Sequence, residues 1–289
     1  MIPDDIVAVD MHVHLSDEYA QSFGVKRKAA MATYLGKKRP SVPVSELADI
    51  YREQRMMAVI MNGTDRHATG EPSMPNDYVA EVVAAHSDVF LGFGIVDPQL
   101  GRLAVDEAIR CKEELGLIGI GELNAARQHF MPHDPSLAPL WSTLADLGMP
   151  ALFHGGYAAS GSGSPGGGGT KLRYSCPIYL DDLAADHPEL RIICAHPSWP
   201  WESEALAVAM HKANVYLDLS GWAPKYFSAE VKQYIRTRIP TKVLFGSDWP
   251  VLTAQRWIAE FDEFGFSDEL RNQVLLENAK TFLGLSTKD

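Results

Sequence analysis

The feature that most constrains the fold of this chain is an alternation sustained along its length. Short apolar runs rich in β-branched residues are separated by longer amphipathic stretches. A period of two followed by a period of 3.6 is the signature of βα units, whose strands pair in parallel because each crossover carries a helix. The spacing predicts strands over 6–14, 57–62, 89–96, 117–123, 149–154, 191–196, 215–219 and 243–247. Helices are expected over 45–56, with Ser45 as N-cap, and over 76–86, 103–115, 137–147, 177–186, 202–211, 253–264 and 268–283. Eight strands in such a series indicate a (β/α)8 TIM barrel, and 289 residues suit one such domain spanning 1–289. Two segments exceed what the barrel needs: an insertion over 15–45 after the first strand, and a Gly-rich loop over 161–169 after the fifth.

Chemistry in a (β/α)8 barrel gathers at the C-terminal ends of the strands. His12 and His14 end the first predicted strand two residues apart, so both imidazoles fall on one face. Glu122, His154, His196 and Asp248 fall at four further strand ends. Imidazoles with carboxylates suit one divalent ion, with zinc preferred and manganese or iron as alternatives; metal-ligand candidates are His12, His14, Glu122, His154 and Asp248. None of Cys111, Cys176 and Cys194 is placed for a closed thiolate site. An open coordination position generates hydroxide near neutral pH, so metal-dependent hydrolysis is the natural chemistry. Asp248 is a candidate proton carrier, or else the cap of a helix begun by Pro250. His196 is a candidate for polarising a carbonyl, or else a structural histidine.

The insertion carries Lys26, Arg27, Lys28, Lys37, Lys38 and Arg39, read either as a basic lid for a carboxylate or coenzyme A phosphates or as a solvated helix face. The Gly-rich loop cannot hold a helix or strand and is read as a mobile cover or an inert connector. Trp199, Trp201, Trp222 and Trp249 follow strands six to eight and suit an aromatic pocket or rim packing. Trp199, Trp249, Tyr157, Lys171 and Arg173 are the substrate-binding candidates. A net charge of −11 argues against nucleic acid or an anionic membrane as partner. The unpaired cysteines and the lack of a leader-like N-terminus point to the cytoplasm. A small aromatic or acyl-CoA substrate is the expected partner, and a homo-oligomer is compatible.

The stretch Asp10-Met11-His12-Val13-His14, His154, Ala195-His196-Pro197 and Phe245-Gly246-Ser247-Asp248-Trp249-Pro250 together resemble the amidohydrolase superfamily. The resemblance is to the amidohydrolase-related branch that includes the aminocarboxymuconate-semialdehyde and γ-resorcylate decarboxylases. It implies that His12, His14, His154 and Asp248 ligate the metal and that His196 is catalytic beside it. Where many relatives carry a lysine that can be carboxylated, this chain has Glu122. Lys171-Leu-Arg-Tyr174 and Ala195-His-Pro-Ser-Trp-Pro-Trp201 look like a subgroup of aromatic-acid catabolism that includes 4-hydroxyphenyl-β-ketoacyl-CoA hydrolases. That likeness implies retro-Claisen cleavage of an aryl β-ketoacyl-CoA by hydroxide generated at the metal. The alternative is non-oxidative decarboxylation of a hydroxylated aromatic acid. A metal-free scaffold barrel is the reading from outside enzymology.

Overall fold

The computed structural model describes residues 2–36, 38–64 and 66–285. Its eight strands are β1 (Ala8–His14), β2 (Met56–Met61), β3 (Phe90–Gly94), β4 (Gly119–Leu123), β5 (Ala151–His154), β6 (Ile192–Ala195), β7 (Val215–Asp218) and β8 (Val243–Leu244). They lie in chain order and pair in parallel. The ring closes where Met11 N–H donates to Phe245 O at 2.9 Å and His14 N–H to Trp249 O at 3.0 Å, so the architecture is the expected (β/α)8 barrel. β8 is shorter than the predicted 243–247, but its continuation stays bonded to β1.

Two apolar layers hold the barrel. Val9, Met11, Met57, Val59, Met61, Phe93, Leu152, Ile193 and Leu244 fill the interior, plugged from below by Leu276 and Phe282. Ala8, Val13, Ile60, Ile120 and Phe153 face outward against the helices. β1 and β4 each depart from strict alternation at the height of the candidate ligands. Between Asp10 and Val13 three steps on β1 oppose two on β2, and between Ile120 and Leu123 three steps on β4 oppose two on β5. One extra residue per strand is a bulge, which shifts the phase of the pleat. Met11 and His12 therefore both turn inward, as does Glu122, while Val13 and Leu123 return to the outer layer. Gly121 permits the second bulge, because a Cβ there would lie 2.7 Å from Leu152 Cβ.

Several local expectations are corrected. Val44–Glu53 starts beside Pro43, so Ser45 sits inside its first turn rather than capping it. A helix with no counterpart among the expected ones, Ala229–Thr237, stands between strands seven and eight; the Ser228 hydroxyl caps it, Val231 and Ile235 are buried and Tyr234 packs beside them. The final helix is broken by a π turn at Gln273–Glu277, just before Asn278, whose amide donates to Val243 O at 2.6 Å. The Gly-rich run does hold a helical turn, Pro165–Gly169: Gly166, Gly167 and Gly168 have φ near +60°, a left-handed path that only glycine adopts in series. His129 Nε2 bonds Gly169 O at 2.7 Å, anchoring the run's end. The insertion forms the helices Glu18–Gln21 and Val25–Leu35; Lys37 lies outside the described residues. Among the described residues no helix is long and apolar enough to cross a membrane.

Candidate metal centre

β1 brings His12 and His14 together with their Nε2 atoms 3.2 Å apart. Their other nitrogens are already committed. His12 Nδ1–H donates to the buried Asp218 carboxylate at 2.7 Å, and His14 Nδ1–H to Met61 O at 3.3 Å. In their neutral forms both rings thus turn lone pairs towards each other, with Asp248 Oδ1 3.3 Å and Glu122 Oε2 3.5 Å from His14 Nε2. Acceptors facing acceptors in a buried space call for a cation between them, and this donor set fits a divalent metal ion.

Glu122 faces two ways. Its Oε1 accepts from His154 Nδ1 at 2.7 Å and lies 3.6 Å from His196 Nε2, which is itself 3.0 Å from His154 Nδ1. His12, His14 and Glu122 form one compact trio, and Glu122, His154 and His196 another, with ligand atoms in each within 4.8 Å. Among the described residues, His154 Nε2 is buried without a hydrogen-bond partner.

Burial raises the cost of charging every group here, yet the carboxylates hold most of the imidazoles up. Burial depresses His12, but Asp218 and Asp248 lift it above its ordinary value. His14 is lifted against burial by Asp248 and Glu122, and His196 by Glu122 and Asp248. His154 is the exception: burial, and then the neighbouring His196, hold it below its ordinary value against Glu122. Against burial, hydrogen bonds from His14, His154 and His196 hold Glu122 well below the carboxylate range. His14 and the neighbouring imidazoles hold Asp248 at about 2. The centre thus has the potential of a cation site. His196 and Asp248 also sit at φ +69° and +57°, a conformation non-glycine residues avoid and one that collects at functional sites. Asp248 caps nothing: the next helix, Ala254–Asp262, takes its cap from Thr253.

A cavity of about 310 Å³ opens beside His14, and its far wall is the insertion. Arg27, Lys28, Lys38 and Arg39 line it, whereas the Lys26 ammonium turns away to Thr69 O. Four of the six basic residues of the insertion thus border the cavity beside His14. Among the described residues, Arg39 Nε and Asn62 Nδ2 are buried without hydrogen-bond partners, and both residues line the cavity. Burial depresses Arg39, while Asp248 and Glu122 favour its charge.

The other substrate-binding candidates stand apart from this wall. Trp199 is 49% exposed and forms a rim cluster with Tyr157 and Trp222. Trp249 packs into the outer core and donates to Ser16 Oγ at 3.3 Å. Lys171 and Arg173 lie over the Tyr174 ring. Asp218, absent from the expected site residues, ends β7 as His154 ends β5. Asp10, the first residue of the stretch that carries the resemblance, accepts from Ser247 N–H and Tyr51 O–H, and burial pushes it up to about 6 against these bonds. Since Asp218 orients His12, Asp218→Asn is expected to weaken zinc binding roughly 10- to 100-fold in a chelator competition; unchanged affinity would remove Asp218 from the site.

A sequence profile of the amidohydrolase family matches residues 9–285. A 2-amino-3-carboxymuconate-6-semialdehyde decarboxylase from Dictyostelium discoideum is 33% identical over 79 residues, 27% of this chain and 22% of that enzyme. An uncharacterised TIM-barrel protein from Bordetella bronchiseptica superimposes with a TM-score of 0.76 at 19% identity, over 96% of this chain and 98% of that one. A 5-carboxyvanillate decarboxylase from Sphingomonas paucimobilis does so with a TM-score of 0.70 at 16% identity, over 96% and 99%. With a histidine and carboxylate centre at the strand ends and a profile match over nearly its whole length, this chain belongs to the amidohydrolase family.

Proposed function

We propose that this protein is a metal-dependent, non-oxidative decarboxylase of a hydroxylated aromatic carboxylic acid. The observation that carries this reading is the meeting of a cation site with a cavity whose buried donors, Arg39 Nε and Asn62 Nδ2, await an acceptor. Unspent buried donors are costly, and an acid satisfies them. Two of the proteins this chain is similar to are decarboxylases, one of 2-amino-3-carboxymuconate-6-semialdehyde and one of 5-carboxyvanillate. A cavity of about 310 Å³ suits a monocyclic acid better than a coenzyme A thioester. These points favour decarboxylation over the retro-Claisen cleavage expected from the Lys171 to Tyr174 likeness.

His12, His14, Glu122, His154 and Asp248 hold the metal, with zinc the first candidate. When bound, the ion supplies a Lewis acid for the substrate's oxygens. Asp248, ionised before substrate arrives, takes the phenolic proton and returns it to the ring carbon that bears the carboxylate. The bond to the carboxyl carbon then breaks, its electron pair restores the aromatic ring, and carbon dioxide leaves. Solvent returns one proton to the phenolate, which balances the step. His196 steadies the oxygen that gains charge, and Arg39 and Asn62 hold the acid in place.

Incubation with a panel of hydroxybenzoates in deuterated water is expected to release carbon dioxide and leave one ring deuterium, without oxygen from labelled water. An aryl acid and acetyl-CoA formed from an aryl β-ketoacyl-CoA would overturn the reading. Arg39→Met is expected to raise KM for the acid by about 10- to 100-fold, as the loss of one charge-assisted contact implies, with kcat changed less. An unchanged KM would remove Arg39 from substrate binding.

A further inference from the structure

β7 ends at Asp218 and continues into Leu219-Ser220-Gly221, and the Asp218 and Ser220 side chains reach the histidines of the centre. Ser220 is fully buried. Its hydroxyl donates to Asp218 Oδ2 at 2.9 Å and stands 3.1 Å from both His12 Nδ1 and His196 Nδ1. Its backbone N–H donates to Asp218 Oδ1 at 3.0 Å, and its carbonyl lies 3.1 Å from His196 Nδ1.

A hydroxyl has one proton and two lone pairs. With the proton on Asp218, a lone pair remains for His196 Nδ1–H, while His12 Nδ1–H takes the shorter contact to Asp218. The bonds form an unbroken chain from His196 through Ser220 and Asp218 to His12. Both end rings then present Nε2 to the centre. Two glycines clear room for the chain. A Cβ at Gly221, which has φ +75°, would lie 2.7 Å from His196 Nδ1, and one at Gly246 would lie 2.9 Å from Ser220 Cβ and collide with Asp218.

We propose that Ser220 is a positioning residue that fixes the tautomer and orientation of His12 and His196 together. A buried chain of this kind lowers the freedom of both rings at once. The inference rests on the reading of these histidines as the working groups of the site, but it does not depend on which reaction they serve.

The test uses the zinc-loaded protein with Ser220→Ala and Ser220→Cys. Cysteine fills the volume but is a weak donor and acceptor. Both variants are expected to bind zinc about tenfold more weakly in chelator competition. Both should also lose or broaden the low-field imidazole N–H proton resonance of His196, identified by its absence in His196→Gln. Where a substrate is in hand, kcat should fall with KM nearly unchanged. Parent-like zinc affinity and resonances in Ser220→Ala would overturn the proposal, and so would their recovery in Ser220→Cys, since volume alone would then explain the effect. If Ser220→Ala does not fold, Ser220→Cys alone decides. The affinity and resonance readouts involve no substrate, so failure of the decarboxylase reading leaves them interpretable.

Discussion

Turnover by Asp248→Asn is expected to fall about 10³-fold, close to 4 kcal/mol of lost transition-state stabilisation. The carboxylate lies 3.3 Å from His14 Nε2 and 3.9 Å from His12 Nε2, and the imidazoles hold it ionised. Asparagine keeps the shape but can neither accept nor return the proton, and it removes a negative charge facing the cation site. Measuring kcat at saturating metal, with bound metal counted by mass spectrometry, separates the two losses. A fully loaded variant within tenfold of the parent would show that Asp248 does not carry the proton.

Trp257→Ala is expected to cost about 3–5 kcal/mol of folding stability, the range for removing a large aromatic residue from a packed core. Trp257 is completely buried, stacked on Phe261 with centroids 4.9 Å apart and tilted against Phe245 at 4.8 Å. Its Nε1–H donates to Leu219 O at 3.1 Å, so the same change leaves that carbonyl, one residue before Ser220, without its indole donor. Urea titration should register the loss, and a midpoint shift equivalent to less than about 1 kcal/mol would mean that the cluster collapses to fill the hole. Because Leu219 adjoins Ser220, metal affinity in this variant should weaken as well.

The strands, their order and the residues at their C-terminal ends were legible because apolar periodicity and chain polarity are local properties. His12, His14, Glu122, His154, His196 and Asp248 were found by that rule, and they do converge. The helix Ala229–Thr237 was legible by the same signals, a Ser228 cap and Val231, Tyr234 and Ile235 at one-face spacing, although the strand-by-strand expectation above lacks it. The tryptophans do not line the cavity, because proximity to a strand end does not decide which wall a ring joins. Trp249 is core and Trp199 is rim, while the cavity's wall comes from the insertion.

By itself, the sequence determined a parallel barrel and the residue types that end its strands. The tertiary structure alone decided how those residues are aimed. A bulge in β1 and another in β4 each shift the pleat by one residue, turning His12 and Glu122 inward where strict alternation from Met11 and Ile120 would turn them out. Both strands are buried on both faces and so do not alternate in polarity, and a one-residue shift of the pleat leaves no trace in such a run. Likewise the chain from His196 through Ser220 and Asp218 to His12 joins residues up to 208 apart in sequence. It exists only because the closed barrel brings β1, β6 and β7 around one buried point.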